Sequence, residues 1–342
     1  MVSEFKRLPA LDGVRGIAIL LVLVGHSLSL RHDAESMLIG RLGVVVFFVL
    51  SGYLITSRLL MEEERQGAIS IKKFYRRRAL RIFPAFYTFL SICAVLAWWK
   101  VIPSPNLKAW LSCALYFRNY VADQWSSTSH LWSLALEEQF YFLWPAFFLL
   151  TRKHRLPAVG LAVAGLSAYR AIWIYTHPLA GIESNLHAEY YMNTLLIGAA
   201  FAIFRPTWVK TLRVSLLCSV LAAWWVFGLL RWVAPFHGTV SALLLGAIIY
   251  RCADAPGRMA SRLLCHPALV FSGVLSYSVY LWQQMFLGPN LRWWSFPALA
   301  GVACISYFCI ERPFLRLKDR PSPSHRSVNA RSVEIVTAPA GV

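Results

Sequence analysis

Charge is scarce in this chain, and acidic charge is scarcest. Only 15% of its 342 residues are Asp, Glu, Lys or Arg, and 16 acids stand against 34 bases. With 58% apolar residues, a water-soluble domain of this length would lack both the interior to hide them and the polar surface to cover itself. Close cysteine pairs are also missing. The seven cysteines lie in or beside apolar runs with no CxxC spacing, which argues against a disulfide framework or a zinc site. No internal repeat and no Ser/His/Asp order is apparent, and no metal is expected.

What the chain does have is long apolar runs. Ten of them lie near 11–30, 41–60, 80–100, 131–150, 157–176, 189–204, 212–232, 237–251, 268–287 and 294–310. The expectation is an all-α polytopic membrane protein of about ten transmembrane helices, with both termini cytoplasmic. With Lys6 and Arg7 inside, the inner segments and helix ends hold 26 of the Lys and Arg residues and the outer ones hold 7. Arg170 lies within a span. This asymmetry is the positive-inside pattern, and it accounts for the net charge of +18 without nucleic acid, whose basic arm would concentrate the charge. The first run is long enough to span and shows no cleavage site, so it reads as an anchor. Residues 61–79 read as an inner loop, acidic at Glu62 to Glu64 and then basic. The apolar stretch 109–117 is too short to cross. Residues 1–316 are expected to form one membrane domain, and the polar, Pro/Ser-rich residues 317–342 a disordered cytoplasmic tail.

Ionisable groups at membrane depth are costly and mark candidate sites. The first run carries Asp12, Arg15 and His26. Eleven helical residues advance about 16 Å through roughly three turns, so Arg15 and His26 share a face. His26 is the candidate general base, for a hydroxyl that attacks an acyl carbon. Asp12 and Arg15 suit a local ion pair. In GVVVFFVLSGYLI, Ser51, Gly52 and Tyr53 offer either close helix packing or a site wall. Arg78 and Arg81 project together from the third run, and guanidinium forks suit phosphate. The bland alternative is a positive-inside cluster. In HLWSLALEEQFYFLWP, Glu137 and Glu138 lie roughly 10 Å below the outer surface by helical rise, facing different ways, with Trp132, Ser133 and Tyr141 nearby. At least one acid is expected to point into the bundle and to pair with His26. Tyr280, Gln283 and Gln284 bring a phenol and two amides that need partners. Glu311 and Arg312 are expected to pair at the inner rim.

Together these segments resemble the acyltransferase-3 family of integral membrane acyltransferases. The matching pieces are ALDGVRGIAILLVLVGHS, GVVVFFVLSGYL, RRALRIFPAFY, LWSLALEEQFYFLWP, SYSVYLWQQ and ERPF, in the family's order from residue 8 to about 315. The resemblance implies transfer of an acetyl or other short acyl group from cytoplasmic acyl-CoA, the donor, to a hydroxyl of a surface glycan, as in O-antigen or exopolysaccharide acetylation. Small molecules such as antibiotics are alternative acceptors. It makes Arg15 and His26 the family's Arg-x10-His pair and Arg78 and Arg81 its Arg-x-x-Arg. The implied location is the bacterial cytoplasmic membrane. Two departures concern the acceptor: Tyr191 and Asn193 replace an Arg and an Asp of many relatives, and Gln283 stands where many have His. No counterpart of the C-terminal hydrolase-like domain of some polysaccharide-modifying members is present in these residues. Two other readings stay open here: a glycan or lipid-linked precursor flippase, and a relay through acyl-His26.

Overall fold

The structure, a computed structural model, describes residues 8–29, 34–121, 127–177, 188–227, 234–254, 257–287 and 291–318. Among the described residues it is helical throughout, with no strand. Ten helices fall on the ten apolar runs: α1 (Pro9–Ser29), α2 (Ala34–Gln66), α3 (Ile71–Trp98), α5 (Leu131–Leu150), α6 (Arg155–Thr176), α7 (Ala188–Phe204), α8 (Val214–Phe227), α9 (Ala234–Asp254), α11 (Pro267–Phe286) and α12 (Ser295–Ile305). Between them lie the short helices α4 (Leu107–Ala114) and α10 (Arg258–Leu264), and a π turn at Ser306–Glu311 leads into α13 (Arg312–Lys318).

Six helical stretches are long and apolar enough to cross a bilayer: Pro9–Leu28, Leu38–Gln66, Ile71–Trp98, Arg155–Thr176, Phe236–Asp254 and Ser295–Leu317. The protein is therefore polytopic. Helices α5 and α11 have 20 residues each but carry the polar side chains of the candidate site, which dilute their apolar character. The residues beyond Lys318, where the tail is expected, lie outside the described ones, as do Lys6 and Arg7.

Helix α2 forms the axis of the bundle. It packs on α1 along one side and on α7 along another, and close approach on the α7 side depends on glycine. A Cβ on Gly52 would strike the Leu195 carbonyl, and one on Gly198 would strike that of Val49. Gly273 of α11 meets the Asp12 carbonyl of α1 in the same way. Small residues let helix backbones touch, which is the main packing device where lipid removes the hydrophobic drive between helices.

The expected inner loop at 61–79 is not a loop. Helix α2 runs on to Gln66, a tight turn follows with Gly67 at φ +70°, and α3 begins at Ile71. The Ser70 hydroxyl caps α3 by accepting from Lys73 N–H at 3.4 Å, while the Ser70 N–H donates to Glu62 at 3.0 Å. Consecutive helical residues point about 100° apart, so the three glutamates of α2 reach three neighbours. Glu62 holds Arg77 of α3 at 2.7 Å, and Glu63 holds Arg155 of α6 at 2.7 and 3.1 Å with Arg152 at 2.7 Å. Glu64 holds Arg205, just past α7, at 2.9 Å. These acids keep the helix going because each has a cationic partner. The exposed Glu64–Arg205 pair contributes little, at most about 1 kcal/mol.

Candidate active site

Helices α1, α2, α3, α5 and α11 surround a cavity. Its α5 wall is Ser133, Glu137 and Tyr141, spaced four apart and therefore on one helical face. From α2 come Phe47, Phe48 and Ser51; from α3, Arg78 and Arg81; from α1, Arg15; from α11, Ser276, Tyr277 and Tyr280. Eight of the residues singled out, from five distant segments, thus share one chamber.

Its polar contacts divide into two groups. Around the arginines, the Glu137 carboxylate accepts from the hydroxyls of both Ser51 and Tyr141. The Arg78 guanidinium lies 4.1 Å from the centre of the Tyr141 ring, a cation–π contact. Arg15 is tied to Asp12 at 3.0 Å, as expected. Away from the arginines, Ser133 hydrogen-bonds Tyr280, whose hydroxyl donates to the His130 carbonyl at 2.8 Å. The His130 Nδ1 and backbone N–H meet Gln284 Oε1 at 2.7 and 3.0 Å, its Nε2 meets the Leu281 carbonyl at 3.1 Å, and Gln284 Nε2 donates to Ser129 at 2.7 Å. These contacts latch the start of α5 to the end of α11.

His26 stands apart from this wall. It is half-buried, is not among the cavity-lining residues, and lies close enough to His130 for the two rings to repel if both were charged. The expected pairing of His26 with a glutamate is not what the structure shows. Glu137 spends its hydrogen bonds on Ser51 and Tyr141, and Glu138 Oε1 has no hydrogen-bond partner. Glu138, turned about 100° from Glu137, lies near Tyr116 and Tyr87 instead.

Other expectations also change. Gly52 serves the α2–α7 contact, and Tyr53 sets its ring edge-on to Tyr250 of α9, 6.4 Å between centres, so neither is among the residues that line the cavity. Trp132 backs the chamber by packing on Tyr191 at 5.1 Å and Phe48 at 6.2 Å. Gln283 is fully buried with neither end of its amide hydrogen-bonded. The Glu311–Arg312 pair does not form. Glu311 accepts from Ser278 of α11, while Arg312 lies over Phe308 at 5.6 Å, because adjacent helical positions diverge.

Two residues near the site carry little signal along the chain. His130 reads as a helix-start residue, although it directly precedes the polar α5 face. Arg58 lies seven residues, two turns, beyond Ser51 and so on the same side of α2, a spacing that does point towards the site once Ser51 is known to line it.

The sequence matches the acyltransferase domain of the acyltransferase-3 family over residues 8–311. The chain belongs to that family. It is 30% identical over 317 residues to the peptidoglycan O-acetyltransferase OatA of Listeria monocytogenes, covering 81% of this chain and 49% of that one. The O-acetyltransferase OatA of Staphylococcus aureus is likewise 30% identical, over 324 residues, covering 82% of this chain and 52% of its own. The chain thus spans about half the length of the curated relatives it matches. No solved structure gives a significant match. Family membership makes this protein an acyltransferase. Of the two spaced pairs picked out in the sequence, Arg15, Arg78 and Arg81 line the cavity and His26 lies outside its lining.

Proposed function

We propose that this chain is an O-acyltransferase that moves an acetyl group from cytoplasmic acyl-CoA to a hydroxyl of a surface glycan. The carrying observation is the polarity of the cavity: Arg15, Arg78 and Arg81 converge on it, while Ser133 and Tyr280 line it next to the His130–Gln284 latch. Cationic forks suit the phosphates of coenzyme A, and its extended arm then carries the thioester along the α1 face towards His26. The names of the relatives support O-acetylation, and that of the Listeria protein supports a glycan acceptor.

The ten-span topology with both termini cytoplasmic belongs to this reading. It is supported by the fall of ten helices on ten apolar runs and by the basic bias of one side. In this frame residues 1–316 are the membrane domain and 317–342 a cytoplasmic tail, in the bacterial cytoplasmic membrane.

In the mechanism, His26 takes the proton of the acceptor hydroxyl as its oxygen attacks the thioester carbonyl carbon. The C–S bond breaks, and the proton held by His26 passes to the departing thiolate. Glu137 steadies Tyr141 under Arg78 and so acts on donor placement rather than on His26. His130 and Gln284 frame the outer end. No metal enters these steps.

Purified protein in closed vesicles tests this, with acetyl-labelled acetyl-CoA inside and a glycan outside. Label appearing on the outer glycan is the expected result. Transfer only when donor and glycan share a side overturns the transmembrane route, and no transfer from acetyl-CoA overturns the donor.

A further inference from the structure

Away from the main cavity, a second set of polar side chains gathers where α6, α7, α8 and α9 meet. Arg170 lies six residues before the end of α6 at Thr176, and Asn193 lies five residues into α7. Trp225 lies two residues before the end of α8 at Phe227, and Thr239 five residues into α9. By helical rise each is within about 9 Å of one rim of the bundle, the outer rim in the topology proposed above.

The contacts fan out from one turn of α9, at His237, Gly238 and Thr239. The fully buried Asn193 donates through Nδ2 to Thr239 at 3.0 Å and to Ser167 of α6 at 3.4 Å, and those two hydroxyls meet at 3.1 Å. A Cβ on Gly238 would strike the Arg170 guanidinium, so this glycine makes room for it. Trp224 Nε1 donates to the His237 carbonyl at 3.2 Å. The Trp224 and His237 rings lie nearly parallel at 6.0 Å, and the Trp225 ring stands edge-on to His237 at 4.7 Å.

Three buried atoms around this turn have no hydrogen-bond partner: Asn193 Oδ1, His237 Nε2 and Trp225 Nε1. They come from three helices and differ in kind. The amide oxygen only accepts, the indole N–H only donates, and the imidazole nitrogen does either according to tautomer. Orphaned buried polar groups are costly, and three in one cluster point to a ligand that completes them. A phosphate or carboxylate would face the amide oxygen with nothing to donate, and a hydrocarbon would satisfy none of the three. Sugar hydroxyls both donate and accept.

The cluster is also set back from the chemistry. Two residues before Asn193, Tyr191 packs on Phe48 at 6.0 Å, and Phe48 lines the main cavity. Residues two apart on a helix point about 200° apart, so α7, roughly 10 Å across, separates cluster from cavity. A hydroxyl bound here is therefore not the one that is acylated. We propose that this cluster seats a non-reacting sugar of the acceptor glycan, so that the enzyme grips its acceptor at two places and favours chains over single units. The proposal rests on the glycan acceptor proposed above. Binding energy from the remote sugar then serves the reaction in the main cavity.

The test uses the full chain in lipid nanodiscs, acetyl-CoA, and soluble peptidoglycan glycan fragments of one and of four disaccharide repeats. Wild type is expected to show a kcat/KM about tenfold or more higher for the longer fragment. Trp225→Phe keeps a ring and removes the orphan N–H; it should lower kcat/KM for the longer fragment about 3- to 10-fold, the worth of one neutral hydrogen bond. The shorter fragment and the KM for acetyl-CoA should stay within about twofold, which also shows that the variant is folded. His237→Phe should behave in the same way. Wild type without a length preference overturns the proposal, as does an equal loss on both fragments or no loss on either in these variants. A loss that follows the phosphatidylglycerol content of the nanodiscs and not fragment length overturns it in favour of a lipid contact. If wild type acetylates neither fragment, the glycan acceptor itself has failed, and this seat with it.

Discussion

Tyr141 offers a way to separate the two jobs of one side chain. Its hydroxyl donates to Glu137, and its ring lies 4.1 Å from the Arg78 guanidinium. Tyr141→Phe removes the hydroxyl and keeps the ring. The charge-assisted hydrogen bond is worth about 1.5–3 kcal/mol, and Glu137 retains its bond from Ser51, so stability should fall towards the lower end of that range. Arg78 stays on its ring, and the KM for acetyl-CoA should remain within about twofold of wild type. Tyr141→Leu removes the ring as well. A partly desolvated cation–π contact contributes about 0.5–2 kcal/mol, which is roughly a 2- to 30-fold rise in donor KM if Arg78 then loses its fixed position. The assay is the initial rate of labelled acetyl transfer against acetyl-CoA concentration, with thermal unfolding in detergent measured on the same samples. A Phe variant whose donor KM rises as far as that of the Leu variant refutes the reasoning, since the hydroxyl and not the ring would then hold Arg78. Unchanged KM in both variants would mean that Arg78 does not meet the donor.

Three further outcomes follow from particular contacts. His26→Ala that inserts normally should lose about 10²- to 10⁴-fold in acetyl transfer, the usual worth of a general base, and full-rate transfer removes His26 from that role. Gly52→Ala and Gly198→Ala each force a methyl group against a neighbouring backbone carbonyl, so each should cost about 1–3 kcal/mol in thermal or denaturant unfolding; unchanged stability contradicts the close α2–α7 approach. Gln283→Leu replaces a buried amide that has no hydrogen-bond partner with an apolar group of similar size. It should raise stability by about 1–3 kcal/mol, and a drop on the same melting curve would show that the amide is satisfied in the membrane.

The helices were largely legible because membrane spans announce themselves over some twenty residues, and a local composition rule suffices to find them. The error at 61–79 shows where that rule stops. Glu62, Glu63 and Glu64 read as solvated charge along the chain, yet they continue α2 because Arg77, Arg155, Arg152 and Arg205, from elsewhere in the chain, come to meet them. The site was half legible for the same reason. Arg15 with His26, and Arg78 with Arg81, are pairs within one helix, and helical spacing alone places each pair on a face.

The sequence by itself determined that this is a polytopic membrane protein of the acyltransferase-3 family, because bilayer thickness, charge bias and ordered motifs act along the chain. Only the tertiary structure decided which way each buried charge faces. It set Glu137 with Ser51 and Tyr141 instead of His26, sent Glu138 towards Tyr116, placed His130 in the latch with Gln284, and brought Arg58 to the arginine wall. Each of these depends on which helix lies alongside another, and that is fixed by packing between segments far apart in sequence, such as the glycine contacts of α2 with α7 and of α1 with α11.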